Sequence, residues 1–308
     1  MMNPELMMFY NVENFYPPNQ KSENTPNFGL RNWDDYKYNL KIKKITNVFR
    51  FIEEDFGQLP SVIGLAEIGA KSVLEDLTNA NSPIKDYEIV YQPSKDSRGL
   101  SVAMLFDKSK FTLTKYQTLE FPMDENVEYD TRDILHAELL SDGKNLHVFI
   151  LHLPSKRNQN VKKDLRNYIL EKLSETLQEL FEKGEAVVLM GDFNDNPGNE
   201  TIKQLCFDKN DNKVMNNPFE TFYQENQFST FHGKKGVCFD QIFYTESALL
   251  KNFSFKNIEA EIYNNLRLRN KDSKNNKYPS RTFSGSRYMG GYSDHFPVIL
   301  KFLNKEPI

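Results

Sequence analysis

Apolar residues recur along this chain in two patterns that predict different secondary structure. In residues 34–56 and 161–181 they lie three or four positions apart, the spacing of one helical face. Elsewhere they form short contiguous runs, which are typical of strands covered on both faces. The predicted strands lie in LMMFYNVENFY, SVIGLAEIG, YEIVYQPS, LSVAMLF, RDILHAEL, LHVFILHLPS, VVLMGD, FDQIFYT and YSDHFPVILKF.

The order of these elements predicts an α+β fold class. Strands outnumber the two strong helices, and many strands follow one another directly along the chain. This order favours antiparallel or mixed sheets with helices outside them, rather than strict alternation of strand and helix. The apolar strands could also pack two sheets face to face. No internal repeat and no change in composition marks a linker between domains.

Composition narrows the class of protein without indicating its chemistry. The chain has 308 residues, of which 39% are hydrophobic and 27% are charged, as is ordinary for a globular protein. No apolar run approaches the about 18 residues of a transmembrane helix, and residues 1–10 do not resemble a signal peptide. The two cysteines, Cys206 and Cys238, do not imply a disulfide framework. We therefore expect a cytoplasmic protein with no evident membrane association and no obligate protein partner.

Positive charge is concentrated in one segment, although the net charge of the chain is −4. Residues 264–290 contain seven Lys or Arg residues and only one acid, Asp272. They could form a solvated polar loop, or an arm that attracts phosphate groups. Arg287 lies only seven residues before Asp294, a candidate site residue, which favours the second interpretation. Aromatic residues that could stack on nucleic-acid bases are Tyr278, Phe283 and Tyr288.

One apolar run, VVLMGDFNDNP, leads directly into acids and amides. Gly191 is predicted to let the backbone turn, so that Asp192 and Asn194 emerge at the carboxyl edge of a sheet, where ligands often bind. An Asx-rich turn is the plainer interpretation. A calcium-binding EF-hand is excluded, because Pro197 occupies the position that needs glycine and Lys203 the position that needs glutamate.

Polar residues interrupt several other predicted strands or follow their ends. Each alone has an ordinary explanation, such as a turn cap, a solvent-facing acid or a hydrogen-bonded core histidine. Together they provide carboxylates for a divalent cation and amides and imidazoles for phosphate oxygens. These residues are Asn11, Glu13, Glu67, Arg132, His152, Asp192, Asn194, Asp240, Asp294 and His295.

Six short motifs give this set a family context. In chain order they are YNVEN, LAEI, LHLPS, GDFND, FDQI and YSDHFPV, spread over residues 9–300. The sequence thereby resembles the endonuclease/exonuclease/phosphatase superfamily, including its deoxyribonuclease I-like and exonuclease III-like members. The resemblance implies a four-layer αββα sandwich of two packed mixed sheets. It also implies one domain over residues 1–308, because residues near both termini must converge on one pocket.

The resemblance further implies a metal centre and Mg²⁺ as cofactor, with Mn²⁺ as a possible substitute. Glu67 resembles the principal metal ligand of the family. Asn11 and Glu13 are expected beside it, and Asp294 is expected to support the metal side of the site.

Other residues correspond to the family's catalytic groups. Asp192 resembles the residue that positions or activates the attacking water, and Asn194 the one that contacts the scissile phosphate. His295 is similar to a histidine held by an acid, here Asp240, and His152 is expected to face the phosphate oxygens. Substrate contacts are expected from Arg98, Arg132, Arg281 and Arg287.

These features favour hydrolysis of phosphodiester bonds in nucleic acid by in-line water attack. Inositol phosphates, sphingomyelin-like lipids and other small phosphate esters are the alternative substrates, and a non-catalytic protein that keeps the fold is a further alternative. A serine hydrolase is disfavoured, because Ser293, Asp294 and His295 would point to alternate faces of one strand and no G-x-S-x-G motif is present. A zinc hydrolase is disfavoured by the absence of H-E-x-x-H.

Overall fold

The computed structural model describes residues 5–18, 30, 32–123, 131–156, 162–253, 255–272, 274 and 276–304. The strands are β1 (Glu5–Phe15), β2 (Val62–Ile68), β3 (Tyr87–Tyr91), β4 (Ser101–Asp107), β5 (Thr112–Leu119), β6 (Ile134–Ser141), β7 (Lys144–His152), β8 (Ala186–Asp192), β9 (Thr230–His232), β10 (Lys235–Val237), β11 (Asp240–Tyr244), β12 (Phe255–Ile262), β13 (Phe283–Ser284), β14 (Arg287–Tyr288) and β15 (Val298–Asn304). The helices are α1 (Asp35–Phe56), α2 (Lys71–Leu77), α3 (Lys163–Lys183), α4 (Glu200–Gln204), α5 (Phe219–Gln224) and α6 (Glu246–Asn252), with a 3₁₀ turn at Leu266–Leu268.

Two large mixed sheets form the centre of the molecule. The first has the strand order β12-β15-β1-β2-β4-β3, and the second has the order β11-β8-β7-β6-β5. In each sheet one central pair is parallel, β1 with β2 and β7 with β8, and the remaining pairs are antiparallel. A parallel pair brings two carboxyl ends of strands to the same edge of its sheet.

The sheets pack face to face and helices cover their outer faces. Along β7, Val148 and Ile150 belong to the core between the sheets, whereas Phe149 and Leu151 belong to a second core beneath α3. This alternation explains why the strand reads as continuously apolar. The buried stripe of α1 joins the core of the first sheet. The predicted αββα sandwich is therefore confirmed.

Two glycines show how closely these layers approach. A Cβ at Gly64 would lie 2.8 Å from Sδ of Met190, in the opposing sheet. A Cβ at Gly191 would lie 2.3 Å from the carbonyl oxygen of Leu151, in the neighbouring strand β7. Gly191 lies inside β8, so the prediction that it makes a turn is wrong. The residue must be glycine because the backbone of β7 passes too close for a side chain.

The two long helices agree well with their predicted extents. Asp34 is the N-cap of α1, where its side chain accepts the backbone N–H of Lys37, and Gly57 ends the helix at φ 75°. Helix α3 ends at Gly184, at φ 68°, while its predicted first residue, Val161, lies outside the described residues. Within the described part of the chain, no helix is long and apolar enough to cross a membrane.

Candidate active site

The predicted site residues meet at one edge of the sandwich because of strand register. In the second sheet, Asp192 at the end of β8 lies beside His152 of β7 on one side and Asp240 of β11 on the other. In the first sheet, β1 and β2 run parallel and carry Asn11 and Glu67 near their carboxyl ends. Both sheets therefore present polar side chains at the same end.

Asn11 links the acids of the two sheets. Its Nδ2 donates to Oδ2 of Asp192 at 3.0 Å and lies 3.4 Å from Oε1 of Glu67. The other carboxylate oxygen of Glu67 accepts the backbone N–H of Asn14 at 2.6 Å. Nε2 of His152 lies 3.5 Å from Asp192 Oδ2 and 4.0 Å from Glu67 Oε1. These contacts bring two carboxylates, an amide and an imidazole to one point.

The backbone around this point adopts an uncommon conformation at four non-glycine residues. The φ angles are 54° at Glu13, 47° at Asn14, 67° at Glu67 and 49° at Asn194. Such left-handed residues cost free energy and concentrate at functional sites, where the surrounding structure holds them. At Glu67 this conformation occurs where the register of β1 and β2 shifts, so it directs the carboxylate out of the regular strand pattern.

His295 and Asp240 form the acid–imidazole pair that the sequence predicts. Nδ1 of His295 lies 2.7 Å and 3.0 Å from the two carboxylate oxygens of Asp240. Its Nε2 points into the site, 3.9 Å from Oδ2 of Asp192 and 3.9 Å from Oδ1 of Asp294. Burial alone would lower the pKa of His295, but these carboxylates, with Asp240 foremost, raise it well above its usual value. These carboxylates therefore favour the protonated form of the imidazole.

Asp192 is the buried centre of the cluster. Burial and the neighbouring charge of Asp240 raise its pKa to about 7, although His295 and hydrogen bonds from Asn194 and Asn11 oppose this rise. The backbone N–H of Asn194 donates to Asp192 Oδ1 at 2.9 Å. The side chain of Asn194 donates to the carbonyl of Leu153 at 2.9 Å. Asn194 therefore orients Asp192 and braces the end of β7, in addition to any contact with substrate.

Two predicted metal ligands have other roles. The amide oxygen of Asn11 accepts the backbone N–H of Glu13 at 3.0 Å, so only its NH₂ group faces the acids. Both carboxylate oxygens of Glu13 accept backbone N–H groups, from Thr282 at 2.6 Å and Phe283 at 3.0 Å. An oxygen that accepts one N–H keeps a second lone pair, so the assignment of these two side chains as metal ligands stays a prediction. Asn11 donates hydrogen bonds, and Glu13 fastens the loop that precedes Asp294.

Sequence analysis missed Lys41, which fixes the same loop from the side of α1. Its fully buried ammonium group donates to Oγ1 of Thr282 at 2.5 Å and to the carbonyl of Tyr292. Burial lowers the pKa of Lys41 to about 8, against the opposing charge of Glu13. The signal was present, because Lys41 occupies the buried stripe of α1 between Tyr38 and Ile45. A lysine in that register must find polar partners inside the protein.

Arg132 also makes structural contacts within the protein. Its guanidinium group donates to the carbonyls of His152 and Leu153, at 3.1 Å and 2.8 Å, and to Asp96 at 2.9 Å. It is buried and supports the end of β7, and its contact with substrate stays a prediction. The side chain of Arg98 remains 36% exposed, 3.5 Å from Asp96, and keeps donors available at the rim.

The basic segment is attached to the site at one end. Nη2 of Arg281 lies 3.5 Å from Oδ2 of Asp294, and 40% of the Arg281 side chain is exposed. Arg287 is exposed on the hairpin formed by β13 and β14. Arg267 forms ion pairs with two acids of α1. Arg269 donates to the backbone carbonyl and the side-chain oxygen of Asn264. The segment therefore divides into anchoring arginines and exposed cations.

The aromatic residues of this segment are half-buried and pack against other rings of the protein. Phe283 and Tyr288 contact Trp33, with ring centroids 6.0 Å and 6.3 Å away, and Tyr278 contacts Phe231 at 4.6 Å. These three rings therefore support the loop, whereas the sequence interpretation had them stacking on bases.

The Ser293–His295 segment precedes β15, so the prediction that it lies within the strand is wrong. Oγ of Ser293 donates to the carbonyl of Asn11 at 2.6 Å and accepts the backbone N–H of His295. Because Nδ1 of His295 is occupied by Asp240, these residues do not form a serine-protease-like triad.

The donor set fits a hard divalent cation. Glu67 and Asp192 share Asn11 and His152 as neighbours, and the carboxylates of Asp240 and Asp294 lie on the far side of Asp192. Carboxylate oxygens at this density are typical of Mg²⁺ and Mn²⁺ sites.

Comparisons with known proteins agree with this architecture. Humanized D. rerio TDP2 is 15% identical, with a TM-score of 0.59 over 97% of this chain and 98% of that one. A complex of D. rerio TDP2 with a single-strand DNA product is 14% identical, with a TM-score of 0.57 over 97% of this chain and 98% of that one. The Bacteroides thetaiotaomicron mannosyl-6-phosphatase Bt3783 is 14% identical, with a TM-score of 0.58 over 97% of this chain and 99% of that one. The human Nocturnin catalytic domain is 13% identical, with a TM-score of 0.56 over 97% of this chain and 94% of that one.

Sequence comparison gives a more direct assignment. No curated protein matches the chain at a significant level. The family model described as "Endonuclease/Exonuclease/phosphatase family" matches residues 6–305. That match covers nearly the whole described sandwich and the site residues of both sheets. The chain therefore belongs to the endonuclease/exonuclease/phosphatase family of phosphoesterases.

Proposed function

We propose that this protein is a divalent-metal-dependent hydrolase of phosphodiester bonds, with nucleic acid as its leading substrate. The observation that carries the proposal is the position of Asp192. It lies 3.0–3.9 Å from the amide of Asn11 and the imidazoles of His152 and His295. An acid surrounded by donors can align a water molecule while the donors bind the oxygens of a phosphate group.

The chemistry divides between two ionisable groups. Asp192 accepts the proton of the attacking water, and a pKa of about 7 suits a general base at neutral pH. His295, kept protonated by Asp240, donates from Nε2 to a phosphate oxygen or to the departing oxygen. His152 supplies a second imidazole on the opposite side of Asp192.

Glu67 would hold the metal, with Asp294 as a further carboxylate donor. Bound Mg²⁺ or Mn²⁺ would supply Lewis-acid neutralisation of the negative charge on the phosphate group. Hydrogen bonds from Asn14 and Asn11 orient the Glu67 carboxylate for this role.

We expect chelation with EDTA to abolish turnover of a chromogenic phosphodiester, and Mg²⁺ or Mn²⁺ to restore it. The Glu67→Gln variant removes the charge that attracts the ion but keeps the side-chain shape. Its half-saturating Mg²⁺ concentration, read from a titration of initial rate, should rise at least about tenfold, because hard cations prefer charged oxygen ligands. Glu75→Gln, at an exposed position of α2, is the matched control. Full activity of Glu67→Gln at low Mg²⁺ would contradict the assignment.

Nucleic acid is favoured by the exposed cations next to the site. Lys274 and Lys277 are exposed. The segment that carries them is fixed near Asp294 through Arg281 and through backbone N–H groups that donate to Glu13. A row of cations attached to one side of a phosphodiesterase site suits a long polyanion. D. rerio TDP2, which has the same fold, has been crystallised with a single-strand DNA product.

Replacing Lys274 and Lys277 together with Ala should raise KM for single-stranded DNA severalfold with little change in kcat. The dependence of cleavage on salt concentration should also become shallower. With fewer phosphate contacts, binding of the DNA releases fewer counterions. A small chromogenic diester should be cleaved as before. The control replaces Lys108 and Lys144, exposed lysines at the opposite end of the sheets. Equal losses on both substrates would show that the lysines support the site itself.

Small phosphate esters are the second candidate, because a mannosyl-6-phosphatase shares the fold. A panel of plasmid DNA, single-stranded RNA, inositol phosphates and sugar phosphates, each assayed with Mg²⁺ and Mn²⁺, separates the candidates. Turnover of sugar or inositol phosphates alone would remove nucleic acid as the substrate. Binding without turnover on every substrate would favour a non-catalytic protein.

A further inference from the structure

A second cluster of potential metal ligands lies on the outer face of the second sheet. Glu138 of β6 is directly opposite His147 of β7, and His136 lies two residues before Glu138 on the same face. His147 is in the first half of β7, whereas His152, at its end, belongs to the candidate active site. The cluster is therefore separate from the phosphoesterase centre.

The two imidazoles face each other through single nitrogen atoms. Nε2 of His136 lies 3.0 Å from Nδ1 of His147, and one ligand atom from each of His136, Glu138 and His147 falls within 4.8 Å of the others. A tetrahedral ion with metal–nitrogen bonds of about 2.0–2.1 Å holds two nitrogen ligands about 3.3 Å apart. Only a small outward shift of the rings would admit an ion. The ring of His136 is stacked on Phe149, with centroids 4.0 Å apart, which fixes its plane.

The other nitrogen of each ring also faces a suitable group. Nε2 of His147 lies 3.9 Å from Oε2 of Glu185, and Nδ1 of His136 lies 3.4 Å from the amide of Gln117. Metal-bound histidines usually donate their second N–H to a carboxylate or an amide oxygen. Rotation of the Gln117 amide presents its oxygen to His136. Both rings thus have an acceptor for the proton that metal binding would place on the outer nitrogen.

The surroundings of the cluster allow a cation to enter. A cavity of about 360 Å³ adjoins the cluster, and the groups that face it include Lys115, Thr176, Glu179, Lys183 and Glu185. The three carboxylates, Glu138 included, outnumber the two ammonium groups.

We propose that His136, His147 and Glu138 form a binding site for a transition-metal ion of the Zn²⁺ type, with one coordination position open to the cavity. Two imidazoles and one carboxylate select Zn²⁺, Co²⁺ or Ni²⁺ over Mg²⁺, because imidazole is a poor ligand for hard cations. The oxygen-rich candidate active site has the opposite preference. The protein would therefore carry two metal sites of different chemistry.

Titration of the metal-free protein with Co²⁺ tests this site, because tetrahedral Co²⁺ absorbs strongly in the visible range and distorted octahedral Co²⁺ only weakly. We expect the intense band to saturate at one equivalent and to be displaced by Zn²⁺ but not by millimolar Mg²⁺. The band should persist in Glu67→Gln, which alters only the active site. In His147→Gln, Co²⁺ affinity measured from this band should fall at least tenfold, while phosphodiesterase activity with Mg²⁺ stays unchanged.

Glu138→Gln is the second variant, because its side chain is partly exposed and its replacement leaves both rings in place. It should weaken Co²⁺ binding in the same direction, and circular dichroism confirms that each variant is folded. An absent tetrahedral band in the wild-type protein would overturn the proposal and leave a hydrogen-bonded histidine pair. The same conclusion would follow if folded His147→Gln and Glu138→Gln bound Co²⁺ as tightly as the wild type.

Discussion

The Asp192→Asn variant is expected to lose about 10²- to 10⁴-fold in kcat, the range for removal of a positioned general base. Asparagine has nearly the shape of aspartate but cannot accept a proton at neutral pH. The four neighbours that contact Asp192 in the structure would remain in place. Steady-state kinetics on a chromogenic phosphodiester at saturating Mg²⁺ measures the effect, and KM should change far less than kcat.

A control for this experiment is Asp208→Asn, which removes a carboxylate from a surface turn that does not adjoin the site. Its kcat should equal that of the wild type. A second control is the thermal midpoint of Asp192→Asn, which should show that the protein remains folded at the assay temperature. A folded Asp192→Asn variant with kcat within threefold of the wild type would exclude Asp192 as the base.

The second large effect concerns His295 and Asp240, which are joined by a 2.7 Å contact. Either His295→Ala or Asp240→Asn should lower kcat by about 10²-fold or more, since each removes a positioned acid–base group or its orientation. The kcat of the double variant should be only slightly lower than that of the less active single variant, because the effects of groups that act as one unit are not additive.

A complete double-mutant cycle measures this coupling under one set of conditions. Losses that multiply would show that Asp240 and His295 act independently. Asp240→Asn should also move both limbs of the pH–rate profile to lower pH. It removes the main charge that raises the pKa of His295, which sets the basic limb, and a charge that raises the pKa of Asp192, which sets the acidic limb. An unchanged profile would mean that Asp240 serves only to pack the edge of the sheet.

Sequence alone predicted the features that depend on local pattern. Continuous apolar runs located β2, β4, β7 and β8, and helical spacing located α1 and α3, because burial on two faces or one stripe leaves a direct trace in residue order. The six motifs also identified the acids and histidines that meet at the sheet edge. Strand register then explains why residues as distant as His152, Asp192 and Asp240 lie side by side.

Several contacts of buried polar side chains were not predicted, mainly because the partners lie far away in sequence. Arg132 looked free to bind phosphate, but Asp96 and two carbonyls at the end of β7 use its donors. The amide oxygen of Asn11 accepts the backbone N–H of Glu13 only two residues away, a local turn that the strand pattern did not predict. Lys41 binds Thr282 across a separation of 241 residues. No local pattern predicts such contacts. The position of Lys41 on the buried face of α1 does indicate a buried charge, but not its partner.

The position of β15 has a consequence for biosynthesis. This strand, made after every other one described, lies between β1 and β12, and the segment just before it supplies Asp294 and His295. Until the ribosome has added it, β12 has no partner and the flank of β1 is open to pairing with other chains. A message cut short before this point would therefore yield an aggregation-prone polypeptide, and no partly active enzyme.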